Sequence, residues 1–136
     1  MKRGFTLIEL LVCIVIASLL AAIALPAWRG LVTRTYRGDA TAALYALATA
    51  QERYRLVHGH YADQAAPAPP VGLGLAASER GWYELRIERA DASSFLASAR
   101  AAAGSPQAVD GECRLFTIDE TGLRGSLPRD PERCWR

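Results

Sequence analysis

Lysine is nearly absent from this chain. Lys2 is the only one in 136 residues, and every later cation is an arginine. Beside the abundant alanine, that bias reads as genome composition more than function. Charge of either sign is missing from Leu10 to Trp28, so Glu9 is the only ionic side chain between Arg3 and Arg29. The chain has no His-Glu-x-x-His, no Cys-x-x-Cys and no nucleophile elbow, so it lacks the signatures of metalloprotease, thiol-redox and hydrolase chemistry. No calcium-loop pattern is present, and Asp110, Asp119 and Glu120 read as turn residues. Gly72-Leu73-Gly74 follows no strand and lacks the third glycine of a phosphate loop. His58, His60 and Asp63 follow a helix stop, the two histidines cannot share a helical face, and no cysteine is near them in sequence, so no metal is expected. No catalytic residue and no cofactor are expected, and there is no internal repeat.

What is present is a membrane-length apolar segment with an acid at its head. A lone charge at membrane depth costs ~2.5–3.5 kcal/mol on insertion scales, so Glu9 calls for a positive partner at the same depth. An ordinary signal peptide is the competing reading, and Ala22-Ile23-Ala24 offers a small-residue cleavage match that would leave Leu25 first. The uncharged stretch of 19 residues is longer than a secretory core and close to the ~20 residues a span needs. Arg29, Arg34 and Arg37 balance Lys2 and Arg3, so flanking charge does not orient the segment. The formal charge of +2 comes from Lys2 and Arg3, and the pI near 8.6 therefore says little about an acidic partner. Three cysteines, two of them outside the apolar run, suggest one disulfide and one buried thiol, Cys13, in a chain that reaches an oxidising compartment.

The run Lys2-Arg3-Gly4-Phe5-Thr6-Leu7-Ile8-Glu9 resembles the class III signal of type IV pilins and of type II secretion pseudopilins. The resemblance implies cleavage after Gly4 by a prepilin peptidase, N-methylation of Phe5, and assembly into a filament through an inner-membrane platform. It also implies a role for Glu9, which would pair with the new amine of Phe5 on a neighbouring subunit. Near the C-terminus, Cys113-Arg114-Leu115-Phe116-Thr117-Ile118-Asp119, then Gly122 and Cys134-Trp135, are similar to PilE-like minor pilins. That resemblance implies the type IV pilin fold, an α+β arrangement. A long N-terminal helix packs on a small antiparallel sheet, and a Cys113–Cys134 disulfide bounds a C-terminal loop.

The residues support this organisation independently. Val32, Tyr36, Ala40, Ala43, Leu47, Ala50, Tyr54 and Val57 recur at helical spacing, with Arg34, Arg37, Thr41, Glu52 and Arg55 opposite. His58-Gly59 supplies a stop. Pro26 lies inside the helix and predicts a kink. Prolines and glycines from 59 to 81 argue for a loop. Alternation then places Tyr83, Leu85 and Ile87 on one strand face, Phe95, Ala97 and Ala99 on another, and Phe116 and Ile118 on a third. Residues 101–111 read as a connection, and Leu123 to Ser126 as a short fourth strand. The expected organisation is a leader 1–4, a membrane and filament-core helix 5–28, and a periplasmic domain 29–136. The domain comprises an outer helix 29–58, a loop 59–81 and a sheet with the disulfide region 82–136.

The expected function is a structural minor pilin, anchored in the inner membrane and then carried on the cell surface. The alternatives are a type II secretion pseudopilin, a DNA-uptake receptor pilin, and a membrane-anchored periplasmic domain with no filament. The DNA alternative rests on Arg124, Arg129, Arg133 and Arg136 around the disulfide loop, with Trp135 and Trp82 as aromatic neighbours. Asp130 and Glu132 interleave with them and dilute the patch, which favours a solvated C-terminal face.

Overall fold

A computed structural model describes residues 6–136. The expected leader and the Gly4-Phe5 junction lie outside the described residues. Helix α1 runs from Leu7 to His58, unbroken through Pro26. Four strands follow, β1 (Tyr83–Ala90), β2 (Phe95–Ala101), β3 (Cys113–Asp119) and β4 (Arg124–Pro128). A 3-10 turn, Pro106–Val109, precedes β3, and the short helix α2, Pro131–Cys134, follows β4. The chain divides into two units, one ending at Val32 and the other covering Thr33–Arg136.

In the first unit every described side chain as far as Leu31 is exposed. Leu7, Ile23 and Trp28 keep 79%, 73% and 65% of their surface. An apolar helix with nothing covering it needs lipid or other helices around it. Cys13, expected as a buried thiol, is exposed for the same reason.

In the second unit the strands form an antiparallel meander in the order β1-β2-β3-β4. The registers align Leu85 with Ala99 and Phe116, and Ile87 with Ala97 and Ile118. Alternation puts these residues on one face. The small Ala97 and Ala99, both fully buried, separate larger neighbours on β1 and β3 and leave room for Leu44 and Leu47 of α1 in the same core. Gly59 takes φ 78° and donates its N–H to the Arg55 carbonyl at 2.8 Å, the left-handed cap that ends α1.

The buried stripe of α1 differs from the expected one. It reads Arg37, Ala40, Leu44, Leu47 and Gln51, while Val57 is 78% exposed and Tyr36 and Tyr54 are half-buried. Only Ala40 and Leu47 of the expected stripe are fully buried. The helix is rotated so that Arg37, expected opposite, faces the core. The reason is Asp110. Arg37 Nε donates to Asp110 Oδ2 at 2.7 Å and Nη2 to Oδ1 at 3.0 Å, with side-chain exposures of 8% and 4%. Gln51 has a similar reason to be inside. It donates to the Ala62 carbonyl and accepts from the Ala62 N–H, both at 2.8 Å, so one amide pins the start of the loop.

Burial opposes ionisation of the Asp110 carboxyl. The Arg37 hydrogen bond, the Glu112 N–H, the Arg37 charge and the Cys113 N–H together outweigh it and hold the pKa below the usual carboxylate range. A depressed folded pKa adds stability above the unfolded value and loses it as pH falls through the folded one. Asp110→Asn should therefore flatten the fall in stability below about pH 4, the unfolded aspartate range. Arg37→Ala strands a buried carboxylate and should cost about 3–5 kcal/mol by urea denaturation of residues 29–136. Replacing both partners, as in Arg37→Met with Asp110→Leu, should cost far less. Equal losses for the single and double changes would show that the pair is not a coupled unit.

Candidate functional site

Two places in the chain carry chemistry beyond packing. The first is the head of α1. Thr6 sits at the N-cap, and its N–H and hydroxyl donate to Glu9 Oε2 at 2.9 and 2.8 Å, while the Glu9 N–H reaches the Thr6 hydroxyl at 3.4 Å. This is a capping box, Thr-x-x-Glu, in which two orphan donors of the first turn find side-chain acceptors. The sequence carried that signature at Thr6, and the reading of Glu9 as an unpaired acid passed over it. Among the described residues, no cation pairs with Glu9.

The second place is the C-terminal disulfide region. Cys113 opens β3 and Cys134 closes α2. Their sulfurs are 2.05 Å apart and their Cα atoms 5.7 Å, as the sequence expectation requires. Asp130 precedes Pro131 at the head of α2, and the Arg129 N–H donates to the Glu112 carbonyl at 3.2 Å, so this segment is laid along the start of β3. Trp135 follows directly. Its indole N–H donates to the Gly125 carbonyl at 2.8 Å, and its ring packs edge-on to Tyr45 and Phe116 at 5.7 and 6.0 Å. An added Cβ at Gly125 would collide with the Thr117 hydroxyl, which would have to turn aside.

Beside Trp135 lies an open pocket of about 490 Å³ lined by Gly122, Leu123, Arg124, Pro131, Glu132, Trp135 and Arg136. The Arg124 guanidinium stands 5.8 Å from the Trp135 ring centroid. A cation next to an indole, with a second arginine, Arg136, in the lining, suits a planar or anionic group. The expected cluster is thus only partly assembled. Arg124 and Trp135 come together and Arg136 joins them. Arg129 is turned toward Glu112 at 3.9 Å. Arg133 is exposed and lies outside the pocket lining. Trp82 belongs elsewhere, packed on Tyr36. Glu132 lines the pocket and Asp130 caps α2, so the expected dilution by acids holds in part at the pocket itself.

The turn acids have structural partners. Asp119 accepts from the N–H groups of Thr121 and Leu123 at 2.9 Å each, and Glu120 accepts from the Phe95 N–H at 3.1 Å.

Comparison with known proteins gives concordant matches. Residues 1–25 match a family described as the prokaryotic N-terminal methylation motif. Residues 26–117 match a family described as type IV minor pilin ComP, DNA uptake sequence receptor. The chain is 32% identical over 129 residues to fimbrial protein EcpC of Eikenella corrodens, covering 93% of this chain and 79% of that protein. It is 33% identical over 90 residues to the type IV major pilin protein PilE of Neisseria gonorrhoeae, covering 65% of this chain and 52% of that protein. The chain spans about half the length of the Neisseria fimbrial proteins it matches. Among solved structures, the Neisseria meningitidis non-core minor pilin PilV aligns with a TM-score of 0.46 at 18% identity, over 62% of this chain and 76% of PilV. The minor-pilin match stops at residue 117, before the Arg124–Trp135 pocket begins.

Cys134→Ser tests the second place. The cross-link closes a segment with a sequence separation of 21. Its loss should lower stability by about 3 kcal/mol on the chain-entropy account. Because Trp135 adjoins Cys134, its emission should shift to the red under native conditions. A melting point unchanged from the wild type would show that the pocket stands without its staple.

Proposed function

The chain belongs to the type IV pilin family, and from that premise we propose that it is a minor pilin, processed at Gly4-Phe5 and built into a type IV pilus through α1. Its work is structural rather than catalytic. The partners in this reading are other pilins, a prepilin peptidase, an inner-membrane assembly platform, and the membrane before assembly. The second unit would lie on the periplasmic side and later on the cell surface. The observation that carries the reading is the head of α1, an uncovered apolar helix whose one acid, among the described residues, finds partners only in its own first turn. Hydrogen bonds from Thr6 ease the burial of Glu9 but bring no opposite charge. A neighbour's N-terminal amine would bring one, and at membrane depth opposite charges attract far more strongly than in water.

Glu9→Val separates assembly from insertion. The cleavage junction is untouched and a charge is removed, so the variant should enter the membrane and be processed as well as the wild type. Its amount in sheared pilus fractions should fall. Glu9→Asp should be partly defective, because the shorter side chain reaches a neighbour less well. Wild-type incorporation of Glu9→Val would end the pairing account.

A second reading, a DNA-binding pilin, is favoured by the Arg124–Trp135–Arg136 pocket and by the description of the family matched at residues 26–117. In this reading Arg124 and Arg136 meet phosphate and Trp135 offers a stacking face. Duplex DNA titrated with residues 29–136 should bind more weakly as salt rises. Arg124→Ala and Arg136→Ala should each lower the salt slope by about 1. Binding that is equal in the wild type and both variants would place any DNA contact elsewhere.

A further inference from the structure

Tyr36 and Trp82 form a ring pair that neither place above uses. Their centroids are 4.2 Å apart, and the Arg80 guanidinium stands 5.0 Å from the Trp82 centroid. Both rings are half-buried, and Arg80 is exposed. The 3-10 turn Pro106–Val109 is held at the same end of the second unit. Ala102, ahead of it, donates to the Trp82 carbonyl at 2.8 Å, and Asp110, after it, grips Arg37, the neighbour of Tyr36. Between those two anchors Val109 is 85% exposed. An indole under a guanidinium, a tyrosine and an uncovered valine therefore share the end at which α1 enters this unit.

We propose that this end of the second unit rests in the headgroup layer of a phospholipid bilayer before assembly, with the Tyr36–Trp82 pair and Val109 as its contacts. The inference rests on the membrane-anchored reading given above. The tether is short. Trp28 closes the uncharged stretch and Tyr36 follows eight residues later, which is about 12 Å of helix. Helical side chains lean toward the N-terminus, so the Tyr36 ring and the Arg34 guanidinium reach back over the preceding turn. The headgroup layer of one leaflet is about 5–7 Å thick, so the rings reach its outer part. Tryptophan and tyrosine favour that layer because each joins an apolar body to a polar tip. Net charge is not the driving force. Arg34 and Arg80 are accompanied by Asp39 and Glu79, and Asp39 accepts from the Ser78 hydroxyl at 2.5 Å and the Arg80 N–H at 3.4 Å. Neutral headgroups should therefore suffice, with their phosphate oxygens available to the two arginines.

The test uses the full chain in phosphatidylcholine vesicles that contain a lipid spin-labelled on its headgroup. Trp28→Phe with Trp135→Phe leaves Trp82 as the only reporter, and Trp82→Phe with Trp135→Phe leaves Trp28. The inference expects loss of emission from both reporters. Quenching of Trp28 with none at Trp82 overturns it and leaves the anchor intact. Absence of quenching at both removes the anchor, and the inference with it. If the loss of Trp135 unfolds the domain, Val109→Cys in a Cys13→Ala chain, carrying a nitroxide, gives the same decision. Its signal should be broadened by a nickel chelate carried on a lipid headgroup in the vesicles. No broadening beyond that in vesicles without the chelating lipid refutes the contact.

Discussion

The ion pair between Arg37 and Asp110 is the constraint on which the second unit turns. Burying a guanidinium in the first turns of a packing helix is expensive unless its charge and its donors are met. Here the fork of Arg37 fits both carboxylate oxygens, and Glu112 approaches at 3.4 Å. Asp110 in turn accepts from the N–H groups of Glu112 and Cys113 at 3.0 and 3.3 Å. Cys113 begins β3 and is bonded to Cys134. One charge pair thus ties the start of the outer helix to the third strand, and through the disulfide to α2. The nearby Tyr83 hydroxyl has a raised pKa, chiefly through burial and then through the Asp110 charge, which the Arg37 charge opposes. A buried ion pair is poor evidence for added stability, since well-packed apolar residues often do as well. What it supplies is rotational register. Only one setting of α1 about its axis lets Arg37 meet Asp110, and that setting puts Leu44, Leu47 and Gln51 inward.

That register explains where sequence reading succeeded and where it slipped. Strand faces were legible because alternation holds from Tyr83 to Ile87 and from Phe116 to Ile118, and Tyr83, Leu85, Phe116 and Ile118 are all buried. The helix stop at Gly59 and the Cys113–Cys134 pairing were legible from residue type and position. The helical face was misjudged by a rotation because Tyr36 and Val57 looked like core, Arg37 looked like solvent, and Gln51 was assigned to neither face. Apolar periodicity cannot foresee a polar residue whose partner lies 73 positions away. The turn Pro106–Val109 and helix α2 were missed because four residues are too few for a period. Ser105-Pro106 and Asp130-Pro131 did offer the N-cap and N1 pattern at each. Among the arginines, sequence proximity grouped four that the fold sorts by partner. Glu112 engages Arg129, and the β3–β4 turn brings Arg124 to Trp135.

The family match ends at residue 117, whereas the likeness to EcpC covers 93% of the chain. The matched residues, 26–117, hold the outer helix, the loop and most of the sheet. What remains is β4, α2 and the residues that line the Arg124 pocket. This segment is secured by the pairing of β4 with β3, by the disulfide, by one indole hydrogen bond and by two aromatic contacts. Its exposed residues, Leu123, Arg124 and Arg136, lie outside the buried core, where substitution disturbs packing least.

The two halves of α1 answer opposite demands with the same secondary structure. In the outer half, polarity is admitted to the buried face only where a partner is guaranteed within the folded unit, as at Arg37 and Gln51. In the inner half, apolarity is exposed on all sides, and Glu9, the one charge from Leu7 to Trp28, has no such guarantee. Thr6 provides two hydrogen bonds, both to Oε2. These organise the first turn and partly replace water, but they leave the charge itself uncompensated. The outer half is therefore covered within its own unit, whereas the inner half leaves its apolar surface open. The boundary between them falls near Val32, where the two compact units meet in sequence.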